Sequence, residues 1–207
     1  MDGVLTDIVS SWKHIHDYFN TSNERSVNEY LKGKIDDMEF IRRDAILWQE
    51  NGKPITKKRL TEILSEVPLM KGAKKCLLEL NQRGIKTAII SAGLDILAEK
   101  VANELLIDHV VANGLKTDDE GYINGVGILG VKLMYKDHAV KSLADKQKIP
   151  LENIASVGNS CFDIPMFEST GLSIAFNSED ECTRKAADIV VDGKDLSKIL
   201  PLLEEYL

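Results

Sequence analysis

Ile85-Lys86-Thr87-Ala88-Ile89-Ile90-Ser91-Ala92-Gly93 is the stretch on which the fold turns. A short run rich in apolar and β-branched side chains stops at a hydroxyl and a glycine, as a buried strand does at a strand-to-helix junction. Just upstream, Ala73, Cys76, Leu77 and Leu80 recur at helical spacing and run into Arg83-Gly84, a fitting helix stop. Downstream, Ala98, Val101, Ala102 and Leu105 mark another helix, followed by the strand candidate His109-Val110-Val111. Residues 119–130, with Gly121, Gly125 and Gly130, read as a hairpin or extended connection. The alternation then continues: a helix around 137–148, strand 154–157, a helix around 161–169, strand 172–176, a helix near 179–186, strand 189–191 and a last helix near 195–205. Strands and helices alternating at this length predict an α/β fold, a doubly wound and mostly parallel sheet with helices on both faces.

Residues 8–67 break the pattern and contain no convincing strand. Ile8, Trp12, Ile15 and Phe19 form one helical stripe, Met38, Ile41, Ala45 and Trp48 a second, and Leu60, Ile63, Leu64 and Val67 a third. Asn51-Gly52 and Pro54 punctuate the last two. The expected organisation is a core of residues 1–7 and 71–207 with a small all-helical unit, 8–70, inserted into it.

Composition narrows the function. The 207 residues carry 26 Lys+Arg against 33 Asp+Glu, a net charge of −7. An acidic chain without a long basic cluster argues against a nucleic-acid binder and against docking on an anionic membrane. No apolar run approaches the ~20 residues that cross a bilayer, and no signal peptide is visible. Cys76, Cys161 and Cys182 are odd in number, widely spaced and without a CxxC pair, which argues against a disulfide framework or zinc cluster and fits a reducing compartment. A cytoplasmic protein is the expectation.

In doubly wound folds chemistry collects where the strands end. Ser91-Ala92-Gly93 follows one strand and Gly158-Asn159-Ser160-Cys161-Phe162-Asp163 another, Lys136 opens a helix, and Met1-Asp2-Gly3-Val4-Leu5-Thr6-Asp7 stands at the amino end. A hydroxyl beside free backbone amides holds phosphate, a lysine adds positive charge, and side-chain oxygens on one loop seat a hard divalent cation. Each feature has a plainer reading: Ser91 as a helix cap, Lys136 as a solvated helix-end lysine, Asn159 and Asp163 as turn formers. His14 and His16, two residues apart, fall on different faces of a helix and do not share an ion. The Met38/Trp48 stripe reads as core, the charges at 36–44 as a solvated face from which Arg42 and Arg43 could reach the cleft, and Cys161 as a space-filler.

Taken together these segments resemble the haloacid dehalogenase superfamily of phosphatases, in its phosphoserine phosphatase-like branch. Residues 1–7 look like the end of the first motif, Asp-x-Asp-Gly-Val/Thr. Ile89-Ile90-Ser91-Ala92-Gly93-Leu94-Asp95 is similar to the second, Lys136 to the third-motif lysine, and the segment 157–167 to the acidic fourth motif. Lys136 precedes Asn159 by 23 residues, the spacing expected in this branch. The helical stretch matches the position of the family's cap.

The resemblance implies a Mg²⁺-dependent hydrolase of small phosphomonoesters working through an aspartyl-phosphate. Asp2 would be the general acid and base, and Lys136 would share the catalytic machinery. Ser91, Ala92, Gly93 and Lys136 would hold phosphate, while Asp2 (by its carbonyl), Asn159 and Asp163 would organise the ion. It also implies a nucleophilic aspartate one position before Met1, at the end of a strand flanked by 85–90 and 154–157. Without that strand, two ladders would be left unpaired beside an apolar slot. Three departures stand out. Asn159 replaces a metal-binding aspartate, Phe162 replaces a phosphate-side asparagine, and of the cap positions that read phosphoserine's amino and carboxylate groups the acidic one falls on Val9, while the arginine could be Arg42 or Arg43 but aligns best onto Asp44. The expected partner is therefore a small phosphorylated metabolite other than phosphoserine. The second reading is a catalytically impaired relative that binds a phosphorylated metabolite or partner without turnover.

Overall fold

The computed structural model describes residues 1–203. Its first third is helical: α1 (Ser11–Tyr18), α2 (Glu24–Leu31), α3 (Asp37–Ala45) and α4 (Lys57–Ser65). Three of these begin where the sequence supplies a capping oxygen. Ser10 accepts from the Lys13 N–H, Asp36 from Glu39 and Thr56 from Arg59. The reading of this region as free of strands needs one correction. Gln49–Glu50 (β1) and Lys53–Pro54 (β2) pair as a two-residue ribbon around Asn51-Gly52, whose φ angles of 52° and 74° suit a tight hairpin. α2 was not foreseen either: it buries only Ser26 and Tyr30 and so leaves no apolar stripe.

The α/β part runs α5 (Ala73–Gln82), β3 (Ala88–Leu94), α6 (Asp95–Leu105), β4 (His109–Thr117), β5 (Ile123–Ile128), α7 (Lys136–Gln147), β6 (Ala155–Gly158), α8 (Ile164–Phe167), β7 (Leu172–Phe176), α9 (Glu181–Ala186), β8 (Ile189–Val191) and α10 (Leu200–Leu203), with short 3₁₀ turns at Leu151–Asn153, Cys161–Asp163 and Leu196–Ile199. The helix expected over 195–205 is thus a 3₁₀ turn followed by α10, and its last positions, 204–205, lie outside the described residues. Helices cover both faces of the strands, as period-two alternation requires. Ile174 and Phe176 of β7 join Ile89 and α5–α6 in the larger core, whereas Ala175 and Ile90 face Val140, Met166 and Phe167.

The sheet is not the single one expected. Among the described residues it forms two three-stranded pieces, β3-β4-β5 and β6-β7-β8. β3 runs parallel to β4 and β6-β7-β8 are all parallel, but β4 and β5 are antiparallel. β3 and β6 each end their own piece, and both line one cavity of about 1650 Å³, walled also by Leu77, Leu80, Val140 and Leu143. The cavity lies between the two strands that the sequence placed on either side of a slot.

β3 itself starts three residues later than its apolar run. Lys86 and Thr87 are occupied by Asp108, which takes the Lys86 ammonium at 2.8 Å and the Thr87 N–H at 2.9 Å. The strand then continues through Ser91, Ala92 and Gly93 to Leu94, with a register shift after Ile90. The helical unit is also completed from a distance. β5 packs on α3, and a side chain at Gly127 would overlap Ile41 and one at Gly125 would crowd Ile46, so these two glycines serve close approach, whereas Gly121, with a φ of 87° and open space around it, serves the turn. Its two ends are stitched together: the Asp7 N–H donates to the Pro68 carbonyl at 3.0 Å and the Met70 N–H to Leu5 at 2.8 Å.

Candidate active site

Lys136 begins α7, and its ammonium lies 2.6 Å from Asp163 Oδ1, both side chains almost wholly buried. The turn after β6 is what holds Asp163 there. Its Oδ2 accepts the Asn159 N–H at 2.9 Å, the Ser160 N–H at 3.0 Å and the Ser160 hydroxyl at 3.2 Å. A Cβ at Gly158 would run into this carboxylate, so the strand ends in glycine. Burial pushes the Asp163 carboxyl up; the Lys136 charge and hydrogen bond, the α-amino group of Met1 and the Asn159 amide outweigh it and hold the group below its ordinary value.

Asp2 sits in the tight turn 1–7. Its Oδ2 accepts the Ser11 N–H at 2.7 Å and the Ser11 hydroxyl at 2.8 Å. Its Oδ1 is buried without a hydrogen-bond partner among the described residues. Gly3 follows in a left-handed conformation with the Asn159 side chain against it, so the amino-terminal turn and the β6 loop meet at that glycine. The Met1 amino group, buried and held below its ordinary value by desolvation, feels the charges of Asp2, Lys136 and Asp163.

Ser91 faces the same centre from β3. The Gly93 N–H donates to the Ser91 hydroxyl oxygen at 3.0 Å, so that amide turns inward. A Cβ at Gly93 would stand 2.7 Å from Ser11 Oγ, 2.8 Å from Asp2 Oδ2 and 3.0 Å from Ser91 Oγ, which places these three oxygens around one point. Asp2, Ser91, Ala92, Gly93, Lys136, Asn159 and Asp163 all line the one cavity. Ser91-Ala92-Gly93 belongs to the last residues of β3 rather than to a loop beyond it.

Sequence reasoning missed the residues that hold this strand end. Trp12 Nε1 donates to the Ala92 carbonyl at 2.9 Å. Asn113 is buried in β4, donates to the carbonyls of Ala92 (3.2 Å) and Val131 (2.9 Å) and accepts the Gly130 and Val131 N–H groups. A polar side chain interrupting the apolar β4 run was the available signal for Asn113; Trp12 gave none beyond its helical stripe.

Other expectations change. Arg42 and Arg43 do not line the cavity; Glu39 binds both, and Glu29 also takes Arg43. His16 is buried among Thr21, Trp48 and Asp44. The cysteine count argued against disulfides, yet Cys161 and Cys182 are joined, with their Cα atoms 5.9 Å apart, tying the 161–163 turn to α9. The fold brings together two residues separated by 21 positions, which spacing cannot reveal.

Residues 10–168 match the sequence pattern of haloacid dehalogenase-like hydrolases. The chain belongs to this family. Phosphoserine phosphatase of Methanocaldococcus jannaschii is 29% identical over 181 residues, covering 87% of this chain and 83% of that protein. The corresponding protein of Idiomarina loihiensis is 32% identical over 178 residues, covering 84% and 77%. A solved structure of a phosphoserine phosphatase with substrate bound superposes with a TM-score of 0.79 at 26% identity, over 98% of this chain and 94% of that one. A phospho-aspartyl intermediate analogue of phosphoserine phosphatase gives 0.80 at 27%, over 98% and 95%. The family resemblance and the α/β fold are thus borne out, and the chain is an enzyme of the phosphatase branch of haloacid dehalogenase-like hydrolases. No described helix is long and apolar enough to cross a membrane.

Proposed function

We propose that this chain hydrolyses small phosphomonoesters with Mg²⁺, through an aspartyl-phosphate. The observation that carries the reading is the buried Lys136–Asp163 pair at the carboxyl end of β6, in one cavity with Asp2 and Ser91. Lys136 neutralises phosphate charge where water is excluded, and Ser91 donates its hydroxyl proton to a phosphate oxygen. The nucleophile in this reading is an aspartate joined to the nitrogen of Met1, on a strand between β3 and β6. Support comes from the edges that both strands leave unpaired among the described residues and turn to the cavity, which Met1 also lines. Asp2 protonates the departing alkoxide and then takes a proton from the water that attacks the phosphoenzyme.

The donors fit Mg²⁺ in kind, since the Asp2 carbonyl, the Asn159 carboxamide and the Asp163 carboxylate are all hard oxygens. Asn159 packs on Gly3, which puts its carboxamide beside the Asp2 peptide. Their charge is low: Lys136 already takes Asp163, and among the described residues no three His, Cys, Asp or Glu side chains gather to hold a metal. The nucleophilic carboxylate would complete the set. When bound, the ion neutralises charge between the nucleophile and the phosphate.

The leaving group is not that of phosphoserine. Val9, at the cap position of the acidic residue, is exposed and apolar, and Asp44, near the position of the arginine, is a buried carboxylate bonded to Asn23 at 2.8 Å. Neither side chain offers a substrate carboxylate a cation.

The test is p-nitrophenyl phosphate hydrolysis by the chain extended before Met1 with a strand of about five apolar residues and an aspartate. Turnover that requires Mg²⁺ and falls roughly 10²-fold or more in Lys136→Ala is expected. Turnover indifferent to both changes overturns the reading. Phosphate binding without any turnover in the extended chain favours the second reading, a non-hydrolysing binder.

A further inference from the structure

Ser11 is the first residue of α1, yet its hydroxyl does not serve that helix. The capping role belongs to Ser10, whose oxygen accepts the Lys13 N–H. The Ser11 side chain is wholly buried and turns the other way. Its Oγ donates to Asp2 Oδ2 at 2.8 Å and accepts the Leu94 N–H, 83 residues away in sequence, at 3.0 Å. The Ser11 N–H, one of the amides that a helix start leaves without an internal partner, donates to the same Oδ2 at 2.7 Å. One residue of the helical unit therefore joins the first motif to the end of β3, and Trp12 beside it fixes the Ala92 carbonyl.

We propose that Ser11 is the positioning residue that divides the labour of the Asp2 carboxylate, holding Oδ2 and leaving Oδ1 to move the proton. This rests on the reading of Asp2 as the general acid and base. Two donors converge on Oδ2 and none reaches the buried Oδ1. In the acid form the proton sits on Oδ1, and Oδ2, as the carbonyl oxygen, still accepts both Ser11 bonds. In the carboxylate form Oδ2 accepts the same two bonds. The proton leaves Oδ1 for the departing alkoxide and returns to Oδ1 from water, so neither step requires a Ser11 hydrogen bond to be broken. That is preorganisation at the acid. The Leu94 bond adds register: the strand end carrying Ser91 and the carboxylate that protonates the ester oxygen share one hydroxyl.

A structural serine and a positioning serine differ in which substrates they affect. Nitrophenolate departs without a proton, whereas a primary alkoxide needs one. The experiment compares Ser11→Ala with the unchanged protein, in the strand-extended form, on p-nitrophenyl phosphate and on a primary alkyl phosphate, with the thermal midpoint of each protein measured alongside. Read as kcat/KM, which covers the steps up to departure of the alcohol and not the later attack of water that both esters share, the alkyl ester is expected to lose roughly ten- to a hundred-fold, the range of one hydrogen bond to a charged group, while the nitrophenyl ester changes less than about threefold. Equal losses on both substrates with a retained thermal midpoint, or no loss on either, overturn the proposal and leave the phosphatase reading standing. If alanine lowers the midpoint below the assay temperature, Ser11→Thr, which keeps the hydroxyl, is expected to retain the ratio of the two rates; a thermally stable threonine variant that loses alkyl-ester turnover selectively overturns the proposal. An unchanged protein that hydrolyses neither ester overturns the phosphatase reading, and this inference with it.

Discussion

Asp163 and Asp2 face the same cavity and are held in opposite ways. Asp163 is bonded on both oxygens: Lys136 holds one, and two amides and a hydroxyl hold the other. Asp2 has both donors on one oxygen and nothing on the second. A carboxylate that orders a loop is held on both oxygens, because removing its ion-pair partner leaves a buried charge uncompensated. A carboxylate that exchanges a proton must keep one oxygen free of such bonds. The contrast predicts that the first is chiefly a stability residue and the second chiefly a rate residue.

The sharpest way to break that contrast is Lys136→Met. It leaves the Asp163 carboxylate buried without its ion pair, and the free energy of unfolding, measured by chemical denaturation, is expected to fall by about 3–5 kcal/mol. Replacing both partners, Lys136→Met with Asp163→Leu, is expected to recover a large part of the loss. A single variant as stable as the parent would show that the pair is not what orders the loop.

Asp2→Asn should behave the other way round. The amide keeps an oxygen for the Ser11 donors, so the expected stability change is under about 1 kcal/mol. In the strand-extended protein, kcat on an alkyl phosphate is expected to drop roughly 10²–10⁴-fold. A large loss of stability with turnover intact would exchange the roles given to the two aspartates.

How much of this was legible beforehand differs between the two sides. The run 154–157 ends in Gly158 because Asp163 closes over it, and a glycine followed by Asn, Ser and Asp is a pattern that local sequence carries. Lys136 was legible through its spacing. The Asp2 side was not, because Ser11 and Trp12 act across 83 and 80 residues. Periodicity assigns such residues to a helix face and says nothing of what that face touches. The same limit explains β5: its partner α3 lies far upstream, and only the pairing shows why glycines at 125 and 127 accommodate Ile46 and Ile41.

Acid separates the two carboxylates further. The folded-state value of Asp163 lies below its ordinary one, so its contribution to stability is fully present above about pH 4 and is lost as pH falls through the folded value. Denaturation midpoints measured from pH 6 downward are expected to decline below about pH 4, and Asp163→Asn is expected to flatten that decline. A curve unchanged by Asp163→Asn would place the acid-labile charge elsewhere.

The smallest expected effect tests the point where the two sides meet. Gly3 and Gly33 have nearly the same backbone, with φ of +73° and +67°. A Cβ at Gly33 meets open space, so Gly33→Ala should cost only the left-handed strain, about 1 kcal/mol. At Gly3 the same strain applies and the new methyl overlaps the Asn159 side chain, which must give way. Gly3→Ala is therefore expected to cost more than Gly33→Ala, by roughly another 1 kcal/mol, and to raise the Mg²⁺ concentration needed for half-maximal turnover in the strand-extended protein. Equal costs at the two glycines, with the Mg²⁺ requirement unmoved, would separate Asn159 from the Asp2 turn and leave the ion without its proposed carboxamide.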